Sequence, residues 1–226
     1  CKAFDTMENM MDNMRIPRIE GLGNCNGIEE FRTALDAVGV KGSLECLNWA
    51  EWPEKPSCKF SMGWCREGIG ILFDVEGRDL RAQALEDNGS VWEDSCCELF
   101  IADPEDGTYY NFELNCIGTL LAAKRKSRSE CRHLDPPSLN KVLRFSTLPR
   151  EEIEIADEVM KWSNGMFIPF SLIGIDGSNP PETLRLNIYK CGDKTAHPHF
   201  LSWAPIRTEK PDFHRPEFFG TAIIER

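Results

Sequence analysis

The sequence predicts an all-β fold, an antiparallel β-sandwich of jelly-roll or immunoglobulin-like type with one or two short peripheral helices. Two observations carry this. Many short segments have strand composition, and turn-rich joints such as EDNGS, DPEDG, SNG and DGSNPP separate them with hardly any helical periodicity between.

At the start, Phe4, Met7, Met10, Met11 and Met14 fall at helical spacing, one apolar stripe on a peripheral helix over residues 1–16. A second short helix fits GIEEFRTALDAV, residues 27–38. Strand signals then dominate, at 58–64, 68–77, 79–85, 94–102, 109–115, 118–126, 159–163, 166–170 and 183–190. The charged, Pro-containing stretch 127–157 reads as a surface excursion within one domain, so residues 1–226 form a single unit. The run SWAPIRTEKPDFHRPEFFG, rich in Pro and aromatics, reads as an ordered wrapping loop before a last strand, TAIIE.

Apolar residues make up 41% of the chain, enough for a proper core, and the formal charge is -11. So acidic a surface repels phosphate backbones and anionic lipid, which argues against nucleic acid and membranes as partners. No apolar run reaches the roughly 18–20 residues that cross a bilayer. Ten cysteines at irregular spacings, with no CxxC, read as reduced and mostly buried thiols. Cys1 would suit a lipid-anchored mature protein, and the compartment stays open between secreted or periplasmic and cytoplasmic.

The stretch VWEDSCCELF, residues 91–100, poses the functional question. Side chains alternate along a strand, so Cys97, Leu99 and Ile101 share one face while Asp94, Cys96, Glu98 and Phe100 share the other. In YYNFELN, Tyr110, Phe112 and Leu114 oppose Tyr109, Asn111, Glu113 and Asn115. In TLRLNIYK, Leu184, Leu186 and Ile188 oppose Arg185, Asn187 and Tyr189. The second face is either an ordinary solvated sheet or a binding surface. Its short, stiff groups offer donors and acceptors suited to a ligand with many hydroxyls, and Trp92 and Trp203 are candidate platforms for a pyranose ring.

Trp92 and Asp94, with Glu98 six residues after the tryptophan, precede the strand Tyr110-Asn111-Phe112-Glu113-Leu114-Asn115 and then Gly118. Together they resemble the central signature of family 9 carbohydrate-binding modules, a DOMON-like β-sandwich group. LNIYKCGDKTAHPHFLSWAPI and PDFHRPEFFG resemble the family-9-like single-domain proteins of gut Bacteroidetes, and the similarity covers roughly residues 40–221. The resemblance implies a non-catalytic, sugar-binding sandwich that clamps a ring between two tryptophans, with a mono- or oligosaccharide as partner. By that resemblance Trp92 is the first clamp, Glu98 the hydrogen-bonding carboxylate and Trp203 the second clamp. Asn111, Glu113, Asn115, Arg185 and Asn187 join the site from face sorting. No cofactor is implied beyond a structural calcium, which Asp103, Glu105 and Asp106 would serve.

Other chemistries remain open at this level. Glu98 and Glu113 could act as the carboxylate pair of a glycoside hydrolase. Cys191, His197 and His199 match no established metal-ligand spacing. The basic run KRKSRSECRH reads as the solvated end of a strand or a hold for an acidic group, and no G-x-S-x-G or glycine-rich phosphate loop is present. Exposure of Trp203, Phe213, Phe218 and Phe219 together would favour a protein-interaction module, and their burial would make them packing.

Overall fold

The structure is a computed structural model and describes residues 14–226. Its strands are, in chain order, β1 (Met14–Ile16), β2 (Val40–Ser43), β3 (Cys46–Leu47), β4 (Ser57–Cys65), β5 (Gly68–Gly77) and β6 (Leu80–Ala82). Then follow β7 (Cys96–Ala102), β8 (Tyr109–Asn115), β9 (Leu120–Arg125), β10 (Cys131–His133) and β11 (Leu143–Ser146). The last are β12 (Ile153–Ile155), β13 (Met160–Pro169), β14 (Thr183–Cys191), β15 (Phe200–Ser202) and β16 (Gly220–Ile224).

Nine strands form one sheet in the order β1-β16-β14-β7-β8-β9-β10, with β15 pairing β14 and β3 pairing β15. Five form the second, in the order β11-β13-β5-β4-β2, and β12 and β6 make a separate pair. Within these sheets only β1 and β16 pair in parallel. The result is the expected β-sandwich.

The alternating pattern explains the packing. Leu99, Phe112, Leu114, Leu186 and Ile188 turn inward from the larger sheet onto Met62, Ile69, Ile71, Phe73 and Ile168 of the smaller one, all fully buried. Each such side chain contributes about 1.5–3 kcal/mol on leaving water. One polar side chain joins the layers: Asn164 of β13 donates to the Leu114 and Asn115 carbonyls of β8 at 3.1 and 3.0 Å.

Both outer faces are covered. Helix Ile28–Val38 lays Phe31 and Leu35 on the smaller sheet. Gly70 permits the approach, because a Cβ there would meet the Phe31 ring at 2.7 Å. On the larger sheet, Phe100, Tyr109 and Tyr189 point outward into a second apolar cluster roofed by Trp49, Ile206, Phe213 and Phe219. The C-terminal segment therefore wraps over the very face that the sequence reading left open to solvent.

The helix expected over 1–16 lies outside the described residues as far as residue 13, and its remainder is corrected: Met14–Ile16 form strand β1 beside β16. The expected strands 159–163 and 166–170 are one strand, β13, because Asn164 and Gly165 continue the ladder with β5. All nine described cysteines are free, eight of them buried and Cys131 exposed.

Since Asn164 ties the sheets through buried bonds, Asn164→Ala should cost roughly 2 kcal/mol by removing two buried hydrogen bonds. For a chain of this size that lowers Tm by about 4–8 °C, measured by calorimetry. A shift below 1 °C would show the clasp to be dispensable.

Candidate functional site

The turn ahead of β7 holds Trp92 in place. Val91 is buried, and Asp94, also fully buried, accepts bonds from Arg81 and the Gln83 amide on one oxygen. Its other oxygen accepts from the Ala84 amide and the Asn115 side chain, at 3.0 Å each. Trp92 O and Glu93 O accept the Asp193 and Lys194 amides, binding the turn to the β14–β15 loop. With its backbone fixed at both ends, the Trp92 indole stands 38% exposed. Asp94 is thus the anchor and Trp92 the side chain it presents.

Beside Trp92 opens a cleft of ≈ 220 Å³. Its floor holds Glu98 of β7 and Glu113 of β8, which stand directly opposite each other in the ladder, 2% and 3% exposed. Cys191 Sγ–H donates to Glu98 at 3.0 Å. Asn111 donates to Glu113 at 2.8 Å, and Arg125 in turn donates to Asn111 Oδ1 at 2.8 Å. Glu113 Oε2 is one of the few buried side-chain polar atoms among the described residues that has no partner. Pro211, Phe213 and His214 from the wrapping segment form the facing wall, with Arg128 and Asp193 at the rim.

That wall is rigid. Tyr189 stacks on Phe213 with ring centroids 4.2 Å apart and donates its hydroxyl to the Phe213 carbonyl. Burial, with the nearby Arg125 and Arg128, lowers the His214 pKa to about 3, so its ring is neutral. The Tyr109 hydroxyl, held protonated by burial, shares a hydrogen bond with His214 Nδ1 at 3.0 Å.

Charge on the floor is set by desolvation. Burial drives the Glu98 pKa well above the usual carboxylate range, and repulsion from Glu113 adds to it. Burial also raises Glu113, to about 7, against the opposing pull of Asn111 and Arg125. Asp193 is raised to about 6, again chiefly by burial. Two facing carboxyls cannot both ionise here. Near neutral pH Glu98 holds its proton and Glu113 carries most of the charge. The floor then offers both a donor and an acceptor.

Of the residues expected at the site, the structure brings Trp92, Glu98 and Glu113 to the cleft, with Asn111 directly behind Glu113. The other four belong elsewhere. Trp203 packs on the inter-sheet core and lies close over Gly220, so it is no second wall; Phe213 and His214 stand there instead. Asn115 is taken up by Asp94, the Ala84 carbonyl and the Thr119 amide. Asn187 bonds both the carbonyl and the amide of Ala204. Arg185 donates to the Pro216 and Phe219 carbonyls, holding the wrapping segment. In the Asp103–Asp106 loop, Lys124 donates to both aspartates at 2.9 Å. His197 pairs with Asp79 and Arg78, and His199 with Lys190, so neither joins Cys191.

Sequence reasoning missed Arg125, Asp193, Phe213 and His214. Arg125 lies in a run read as a solvated strand end or a hold for an acidic group, and Asp193 in a run quoted only for its family resemblance. The aromatic richness of the C-terminal run was the one available signal for Phe213 and His214.

A β-sandwich with a buried carboxyl pair beside an exposed indole has the form of a ligand-binding module. The model of carbohydrate-binding family 9 matches residues 32–224. The chain belongs to that family, whose members are non-catalytic binding modules. A candidate carbohydrate-binding protein from Bacteroides uniformis ATCC 8492 is 34% identical, with a TM-score of 0.85 over 95% of this chain and 99% of that one. A family 9 module from Caldicellulosiruptor kristjanssonii, solved in complex with glucose, shares the fold at a TM-score of 0.55 and 11% identity, with 94% of each chain covered. Its structure in complex with cellotriose also gives 0.55, at 10% identity over 94% of this chain and 93% of that one. Comparison with curated proteins gives no match. Among the described residues no helix is long and apolar enough to cross a membrane.

Because Glu113 binds its proton more tightly when folded, its contribution to stability is full below the unfolded carboxyl range and is lost as pH rises through about 7. Glu113→Gln removes that loss. Urea denaturation should show the variant gaining about 1–3 kcal/mol on wild type between pH 5 and pH 8. Parallel pH profiles would refute the assignment.

Proposed function

We propose that the cleft binds a saccharide, with one sugar ring stacked on Trp92 and its hydroxyls held by Glu98 and Glu113. The observation that carries this reading is the pairing of a presented indole with buried carboxyls that still have bonding capacity, at Glu113 Oε2 above all. An indole face takes the C–H side of a pyranose, and a donor–acceptor floor takes its hydroxyls in either sense. Family membership supports a carbohydrate ligand, and the glucose- and cellotriose-bound relatives make glucose and its β-linked oligomers the first ligands to test.

The geometry gives no support to bond cleavage. Glu98 and Glu113 rise side by side from one sheet floor, whereas glycosidase carboxyls flank the scissile bond. The docking-surface alternative is also weakened, since Phe213 and Phe219 are buried and Trp203 and Phe218 are partly so.

Net hydrogen bonds to hydroxyls contribute roughly 0.5–1.5 kcal/mol each, so the stacking ring carries much of the affinity. Calorimetry with mono- and oligosaccharides should find a ligand whose affinity drops at least about tenfold (~1.4 kcal/mol) in Trp92→Ala. Trp92 is exposed enough that this variant keeps the fold. Glu98→Ala, which removes the hydrogen-bonding group altogether, should weaken the same ligand. Undiminished binding by Trp92→Ala would rule out the stacking role.

A further inference from the structure

Beneath the sugar reading lie two thiols that it leaves unused, gathered around a carboxyl that it does use. Cys96 and Glu98 are alternate residues on one face of β7, and Cys191 of β14 pairs directly with Cys96. Their sulfurs and a Glu98 oxygen lie within 4.8 Å of one another, all three residues buried. Buried thiols usually sit singly among apolar neighbours. Here two converge on a carboxyl, and Glu113, opposite Glu98, leaves Oε2 without a partner.

The geometry points to a site for a thiophilic divalent cation of the zinc type, held by Cys96, Cys191 and Glu98, with its fourth position toward the cleft. Two sulfurs and a carboxylate are a zinc-type donor set; calcium and magnesium require oxygen ligands throughout. With Zn–S bonds near 2.3 Å, tetrahedral coordination sets the sulfurs ~3.8 Å apart, so the three groups close on the ion by shifts of roughly 1 Å. Entry is open, because Glu98 and Cys191 line the cleft itself. Glu113 Oε2 or a water completes the shell. The inference does not rest on sugar binding, which needs neither thiol.

Binding is a ligand exchange without redox change. Two thiols and the protonated Glu98 carboxyl together release three protons, and M²⁺ with two thiolates and a carboxylate leaves a complex of charge -1. Burial raises the Cys96 pKa to about 12 and raises Cys191 as well, so those protons are held until a metal displaces them. Lys190 supplies opposing positive charge close by.

The test uses reduced full-length chain carrying Cys1→Ser and Cys131→Ser, which remove the exposed thiol and the one outside the described residues. Cd²⁺ titration should produce a thiolate-to-metal charge-transfer band saturating at one ion per chain, with about three protons released per ion. Zn²⁺ should displace it. Cys191→Ala should abolish the band, isosteric Glu98→Gln should weaken Cd²⁺ at least about tenfold, and Cys116→Ser should leave it intact. Absence of the band in excess Cd²⁺ overturns the proposal. So does a band that survives Cys191→Ala or an affinity unchanged by Glu98→Gln; the second outcome decides the matter even if Cys191→Ala fails to fold.

Discussion

Glu98 and Glu113 face each other across β7 and β8 with almost no exposure, and this pair constrains everything built around it. A carboxylate removed from water is costly unless it is paired, and two together force a shared proton. The surroundings answer that demand asymmetrically. Glu113 has Asn111 and, behind it, the Arg125 guanidinium; Glu98 has the Cys191 thiol and its neighbour's charge. The floor is held ready, polarised before any ligand arrives.

Such a floor exists because the sheet's outer face is roofed. Antiparallel sheets commonly leave one face wet. In this protein Phe100, Tyr109 and Tyr189 stand among the polar residues of that face, and the C-terminal segment packs Phe213 and Phe219 over them. Arg185 and Asn187, which a face-sorting argument assigns to a ligand, instead hold the roof in place by bonding its backbone. The roof stops short of Trp92 and leaves the cleft at its margin.

How much of this the sequence discloses follows from what is local. Long strands with a strict period, β5, β8 and β14, are legible nearly to the residue, as is the inward face that makes the core. Strands of two to four residues, such as β2, β3 and β15, carry too few alternations to be seen. Asn164 and Gly165 look like a turn, yet Asn164 clasps the opposite sheet and Gly165 makes room for Phe31 and Leu72. At the site, Trp92 and Glu98 are legible because six residues of one turn and strand place them. The second wall is not, since only the long return of the chain brings His214 back to Tyr109, 105 positions away. Trp203 has the right chemistry and the wrong side of the sheet.

The account therefore turns on a ligand that spans indole and carboxyl floor together. The most direct measurement is a crystal structure of the chain grown with a saturating oligosaccharide that calorimetry shows to bind. The account predicts a ring lying flat on Trp92 with hydroxyls within hydrogen-bond reach of both Glu98 and Glu113, facing Phe213 and His214. An ordered sugar seated elsewhere, with neither carboxyl touched, would contradict it.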